Sequence, residues 1–92
     1  MNFGQAIEVL KNGGKVARQG WNGKGMFLYL VKGFELDSNN LRNEAREKLF
    51  KDSNEKILIN SHIDMKAADG SIVIGWLASQ TDMLSEDWVV IE

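Results

Sequence analysis

Apolar residues at the start of the chain fall at helical spacing. Phe3, Ala6, Ile7 and Leu10 form one stripe, Asn2 offers an N-cap with Gln5 as its capping-box partner, and Gly13-Gly14 supplies a stop. The spacing predicts a helix whose stripe faces the core. From Val16 the pattern lengthens into strand, centred on Asn22-Gly23. A type I′ turn needs positive φ at both central residues, so this dipeptide predicts a two-residue hairpin. That register pairs Trp21 with Lys24, Gln19 with Met26, Ala17 with Leu28 and Val16 with Tyr29. One face then holds Ala17, Trp21, Met26, Leu28 and Leu30; the other holds Val16, Phe27, Tyr29 and Val31. Both faces of the second strand are apolar, which an antiparallel sheet covered on one side does not require. A helix or another subunit must cover the second face.

Residues 34–56 change character. Asp37-Ser38-Asn39 offers caps, and Leu41, Ala45 and Leu49 mark a narrow stripe on a charged helix ending near Asp52. The expectation is a peripheral helix within an insertion-like excursion. A second hairpin follows, turned at Asp69-Gly70, pairing Lys66 with Val73, Asp64 with Gly75 and Ile63 with Trp76. Its apolar face carries Ile57, Ile59, Ile63, Met65, Ile72, Ile74 and Trp76, and its polar face Asn60, His62, Asp64 and Lys66. Gly75 opposite Asp64 leaves space against a polar strand. Ser79 and Asp82 form a second capping box, for a short turn from Gln80 to Ser85. Asp87 to Ile91 closes the chain as a strand, with Trp88 and Val90 on one face. The pattern predicts an α+β fold: a single domain over residues 1–92, with a twisted antiparallel sheet of about five strands, an N-terminal helix and a peripheral middle helix.

Composition narrows the function. With 92 residues, self-association would add burial that a domain this small lacks. A net charge of −2 without a basic run argues against DNA or RNA as partner. There is no cysteine, which removes disulfides and thiolate sites. No apolar run reaches the length of a membrane span, and Met1-Asn2-Phe3 does not open a signal peptide, so a cytoplasmic protein is expected.

Chemistry is sparse. His62 and Asp64 alternate onto one strand face, and Ser79 or Thr81 would be the nucleophile of a triad, but no Gly-x-Ser-x-Gly elbow accompanies them. A lone strand histidine more often finishes a polar face. Asp64, Asp69, Asp82, Glu86 and Asp87 match no calcium loop, and one histidine cannot supply a two-histidine zinc site. Neither a metal nor a cofactor is implied. Gly20-Trp21-Asn22-Gly23-Lys24-Gly25 is not a phosphate loop, yet it sets a ring, an amide, a cation and approachable backbone N–H groups side by side. Those are the parts that hold a nucleotide. The residues alone favour burial for Trp21, core or subunit interface for Trp76, and burial for Trp88. Ser79, Gln80, Thr81 and Asp82 make a polar loop able to line a pocket beside Gly75. The reading from residues is a binding module rather than an enzyme.

Two blocks, MNFGQAIEVLKNGGKVARQGWNGKGMFLYL and HIDMKAADGSIVIGWLASQTDMLSEDWVV, resemble the N- and C-terminal signatures of a small phage and prophage family, the second type of Thoeris anti-defence protein. They cover about two thirds of the chain. Many relatives carry proline where this chain has Ser61, which bears on the strand start. The resemblance implies a non-enzymatic sponge, acting in the cytoplasm of an infected bacterium. Such a sponge captures a glyco-cyclic ADP-ribose signal made by the TIR-domain sensor, and the NAD-degrading effector stays inactive. It also implies homotetramers with pockets at subunit interfaces and, in some members, cyclic oligonucleotide ligands at separate sites. Carried over, Trp21 and Asn22 become base-stacking or ribose-facing contacts, and Lys24 and Arg18 pyrophosphate contacts. Thr81, Asp82 and Met83 fall on a Thr-Asp-Met block whose carboxylate would accept ribose hydroxyls. His62 and Asp64 line or brace the same pocket, and Trp76 joins the candidates as an interface ring. The alternatives are an inhibitor that binds a host defence protein, or a hydrolase of the signal using His62 and Asp64.

Overall fold

The computed structural model describes all residues, Met1–Glu92. It contains α1 (Phe3–Lys11), β1 (Lys15–Arg18), β2 (Phe27–Val31), β3 (Phe34–Asp37), a 3₁₀ turn (Ser38–Asn40), α2 (Glu44–Leu49), β4 (Lys56–Ile59), β5 (His62–Lys66), β6 (Ile72–Val73), α3 (Gln80–Leu84) and β7 (Trp88–Ile91). The chain divides into two compact units, Met1–Val31 with His62–Glu92, and Lys32–Ser61.

The first unit is an antiparallel sheet in the order β6-β5-β2-β1-β7, with α1 against one face. Asn2 caps α1 through its predicted capping box, its side chain accepting from Gln5 N while Gln5 returns the bond to Asn2 N. Register assigns the faces. Val16 lies opposite Leu28 and Val90, Leu28 opposite Met65, Leu30 opposite Ile63, and Arg18 opposite Trp88. These form the inner face, where Val16, Leu28, Met65 and Trp88 close a core with Ala6 and Leu10 of α1. Ala17, Phe27, Tyr29, Val31, His62, Asp64, Lys66, Val89 and Ile91 therefore point to the outer face. Its apolar rings and branched side chains are half-buried. The β2–β5 ladder ends at the pair Val31 and His62.

The doubly apolar character of β2 is as the sequence predicts, but the first turn is not. Val16 pairs with Leu28 rather than Tyr29, so Val16 and Ala17 exchange faces. No non-glycine residue has positive φ, and Gly25, not Gly23, adopts the left-handed conformation, at φ 77°. The type I′ turn at Asn22-Gly23 is therefore absent. The reason is competition from the residue just before β7: Asp87 accepts Gln19 N on its carbonyl at 3.1 Å and Gly20 N on its carboxylate at 2.8 Å. Those bonds draw residues 19–21 off the ladder and open an irregular loop, residues 19–26.

The second hairpin is displaced by one residue. Lys66 faces Ile72 rather than Val73, because the connection is a three-residue loop closed by Ala67 N to Ser71 O at 2.8 Å, with Gly70 at φ 91°. A type I turn followed by a left-handed glycine has this form. The shift turns Ile72 to the outer face opposite Lys66, and the strand ends after Val73, so Ile72 and Ile74, expected on the core face, are 61% and 75% exposed. Trp76 keeps its expected place beside Ile63, donating its N–H to Ile63 O at 2.7 Å.

The second unit corrects two expectations. Ile57 and Ile59 do not continue into the strand of Ile63; they belong to β4, which pairs with β3 as a separate two-stranded sheet. The middle helix is shorter than the stripe suggests, running from an Asn43 cap to Leu49, with Leu49 70% exposed. Ser38, fully buried, closes this excursion: its N–H donates to Glu55 O at 2.7 Å and its Oγ accepts Glu55 N at 2.9 Å.

Candidate functional site

Two groups of chemistry-bearing residues lie on opposite faces of the sheet. On the inner side, three tryptophans meet edge to face. Trp88 stands 5.4 Å from Trp21 and 6.2 Å from Trp76, and Trp21 and Trp76 are 6.3 Å apart. Each such pair contributes about 0.5–1.5 kcal/mol beyond its burial. Trp88 is the anchor, 1% exposed, with its indole N–H donated to Asp82 O at 3.0 Å. Trp21 is only half-buried, so part of its ring stays accessible.

An ionic network borders the cluster. Arg18 leaves the end of β1 and donates from Nη1 to Asp82 Oδ1 at 2.8 Å and from Nε to Asp87 Oδ1 at 2.9 Å. Asp82 Oδ1 also receives the Trp21 indole N–H, more weakly, at 3.4 Å. Oδ2 accepts Ser79 N at 3.1 Å while Ser79 Oγ accepts Asp82 N at 3.0 Å, completing the capping box of α3. The Asp82 carboxylate, 9% exposed, thus has both oxygens engaged within the protein.

These contacts shift the titrations. Hydrogen bonds to Asp87 and then Asp82 hold the Arg18 guanidinium above its already high value. Arg18 foremost, with the Gly20 N–H, holds the Asp87 carboxyl below the usual carboxylate range. Burial pushes Asp82 upward, but the bonds from Arg18, Ser79 and Trp21 outweigh it and leave that carboxyl depressed as well. Both acids are ionised at neutral pH, and together they outnumber the guanidinium by one charge.

The structure therefore brings Arg18, Trp21, Trp76 and Asp82 together. Asn22 and Lys24 project from the 19–26 loop and are exposed. Thr81 and Met83 lie on the exposed side of α3, Met83 39% exposed. His62 and Asp64 are on the outer face, away from this group. There Asp64, 4% exposed, accepts the N–H of Gly75 at 3.0 Å and stands 3.6 Å from His62 Nε2. Gly75, at φ 78°, is not the cross-strand partner of Asp64 that the sequence predicts, because β6 ends at Val73; only its N–H reaches that carboxylate. Farther along that face, Lys15 and Lys66 place ammonium groups 5.1 and 5.8 Å from the Phe27 ring, beside Tyr29. Sequence reasoning missed Asp87 and Trp88 as partners of the candidate residues, and missed the Lys15–Phe27–Lys66 group. The pairing of Arg18 with Trp88 was the signal for the first, and it needs the β1–β7 register.

The fold is α+β, built on an antiparallel sheet beside a half-exposed tryptophan loop, and no helix is long and apolar enough to cross a membrane. The model of the Thoeris anti-defense 2-like domain covers residues 1–91. The chain is similar to Thoeris anti-defense 2 of Bacillus phage SP01, 43% identical over 91 residues that span 99% of this chain and 94% of that protein. The chain belongs to the Thoeris anti-defense 2-like family.

Proposed function

We propose that the protein opposes Thoeris defence as a sponge. It binds a glyco-cyclic ADP-ribose signal without cleaving it, so that the effector is never activated. The observation that carries this reading is the Trp21 loop. A half-exposed indole, steadied by Trp76 and Trp88, sits beside exposed Asn22 and Lys24, giving a stacking surface, an amide and a cation in one segment. Family membership supports the anti-Thoeris role, and the name of the phage relative agrees with it.

Magnitudes constrain the assembly. A protein that never turns over its ligand must hold it stoichiometrically, at nanomolar affinity or about −12 kcal/mol. A ligand of about 35 heavy atoms at about −0.3 kcal/mol per atom reaches about −10 kcal/mol. One stacked base contributes only about 1–3 kcal/mol. The remainder calls for an enclosed pocket, and a lone protomer offers its tryptophan loop on an open side. Copies of the chain, assembling as a tetramer in the host cytoplasm, supply the enclosure. The outer sheet face, with Phe27, Tyr29, Val31, Val89 and Ile91 half-buried, is the apolar surface such an assembly would cover. Cyclic oligonucleotide signals are the second ligand class in this reading.

Hydrolysis fits less well. His62 and Asp64 lie on the outer face, whereas the Ser79 hydroxyl is tied into the α3 cap with Asp82 on the inner side. Direct inhibition of a host defence protein would use the exposed apolar residues Ile74, Leu77 and Leu84. The test is mass spectrometry of small molecules released by denaturing protein that has been exposed to glyco-cyclic ADP-ribose. Intact signal, recovered at up to one molecule per site, is expected. Cleaved product would overturn sequestration, and failure to deplete the signal would favour the protein-binding inhibitor.

A further inference from the structure

Arg18 lies within the segment resembling the family signature and carries the charge that a pyrophosphate would seek. Its geometry speaks for another role. The guanidinium is held from two sides, by Asp82 and by Asp87, and its side chain is only 14% exposed. Two carboxylates surround one cation, so this corner presents net negative charge to an approaching anion. A phosphate contacting Arg18 would have to displace a carboxylate already bonded at 2.8 or 2.9 Å.

What the network holds instead is the loop. Asp87 accepts the N–H groups of both Gln19 and Gly20. Asp82 accepts the Trp21 indole through the same Oδ1 that binds Arg18, and the Trp21 N–H returns to Arg18 O at 3.3 Å. Every residue from 19 to 21 is thereby tied to Asp87, α3 or the end of β1. The same carboxylate fixes the first turn of α3 through Ser79. A Cβ on Gly20 would stand 2.8 Å from Asp87 Oδ2, so the loop backbone sits hard against its acceptor.

We propose that Arg18, Asp82 and Asp87 form a positioning clamp that sets Trp21 and the 19–26 loop in the ligand-receiving arrangement before ligand arrives. The clamp touches no ligand, and the cation that meets the anionic part of the signal is Lys24, which is exposed. This inference rests on the sponge reading for its purpose, but the clamp has a consequence measurable without any ligand. Freezing the loop in advance lowers the ordering cost at binding, the general means by which a preformed site gains affinity.

The experiment has two arms, run on the full chain with Arg18→Gln, Arg18→Lys and Lys24→Gln. In the first, amide hydrogen exchange is compared without ligand. Arg18→Gln is expected to speed exchange of the loop amides, Gly20 among them, by about tenfold or more relative to the β2–β5 ladder, with Arg18→Lys intermediate because one ammonium cannot serve both carboxylates in the guanidinium's geometry. Loop exchange unchanged relative to the ladder would overturn the clamp, whether or not the protein binds the signal. If Arg18→Gln does not fold, Arg18→Lys decides alone by the same measure.

In the second arm, calorimetry with glyco-cyclic ADP-ribose measures Kd for each variant alone and combined with Trp21→Ala. Arg18→Gln is expected to weaken binding about tenfold in the parent chain and less than twofold once Trp21 is gone, because a residue acting through Trp21 shows non-additivity with it. Lys24→Gln is expected to reduce the salt dependence of Kd. Additive losses would assign Arg18 to the ligand itself. Absence of binding by the parent chain sinks the sponge reading, and the exchange arm still judges the clamp.

Discussion

Replacing Asp82 with asparagine isolates the charge and acceptor role of one carboxylate without opening a cavity. Three donors converge on its two oxygens: Arg18 Nη1 and Trp21 Nε1 on Oδ1, and Ser79 N on Oδ2. An amide keeps only one oxygen. If that oxygen faces Arg18, the Ser79 N–H meets an NH2 donor and the reciprocal half of the α3 capping box is lost, while Ser79 Oγ still accepts Asp82 N. If it faces Ser79, the guanidinium and the indole both meet a donor, and the ion pair is gone in either case. A hydrogen bond to a charged group contributes about 1.5–3 kcal/mol, and leaving a buried donor unmatched costs a similar amount. We expect Asp82→Asn to destabilise the fold by about 2–4 kcal/mol. Urea unfolding followed by tryptophan fluorescence reads this directly, since the three indoles sit in one cluster beside the mutation. With a slope of about 1–1.5 kcal/mol/M for a small domain, the midpoint should fall by about 2 M at unchanged slope. Protomer concentration is held fixed across the series, because any self-association would add to apparent stability. A midpoint within about 0.3 M of the parent chain would refute the claim that the carboxylate ties α3, β1 and the tryptophans together.

Trp21→Ala is expected to weaken capture of glyco-cyclic ADP-ribose by about 5–150-fold, the loss of one stacked base, while native mass spectrometry finds the same oligomer. Val31→Asp, placed on the apolar outer face, should shift the protein toward protomers in sedimentation velocity while leaving its circular dichroism intact; an unchanged assembly would move the interface elsewhere. Acid sensitivity follows from Asp82 and Asp87, whose carboxyls are both depressed in the folded state. The unfolded chain binds protons first, so their contribution is complete above the ordinary carboxylate value of about 4 and is lost as pH falls below it. Urea midpoints should hold steady from pH 7 to pH 5 and drop by pH 3.5, with a shallower drop in Asp87→Asn.

Much of the sheet was legible because its signals are local. The capping pairs Asn2 with Gln5 and Ser79 with Asp82 each lie within one helical turn, and both form as read. The apolar run from Phe27 to Val31 announced a strand wanting cover on two sides. Register was the failure, and in both hairpins it failed at the turn. Asn22-Gly23 has intrinsic preference for a type I′ turn, yet Asp87, distant in sequence, offers its neighbours better hydrogen bonds. Asp69-Gly70 turns the chain as read, but with one residue more. β3 went unread because Phe34-Glu35-Leu36-Asp37 is too short to stand out, and without it Ile57 and Ile59 had no partner except the wrong sheet. The same logic applies to the site. Trp21, Asn22 and Lys24 are contiguous and were found together. The Arg18–Asp87 link spans 69 positions and becomes visible only once β1 lies along β7.

Val31 and His62 close the β2–β5 ladder as cross-strand partners, so the chain departs for Lys32–Ser61 and returns at neighbouring points. Cα atoms so paired are about 4.5–5.5 Å apart, within the span of a tight turn. The intervening stretch can therefore be shortened, exchanged or used as an attachment point for a foreign module without asking β2 or β5 to move. A deletion splice between those two positions, closed by a tight turn, is the simplest route to a minimal scaffold.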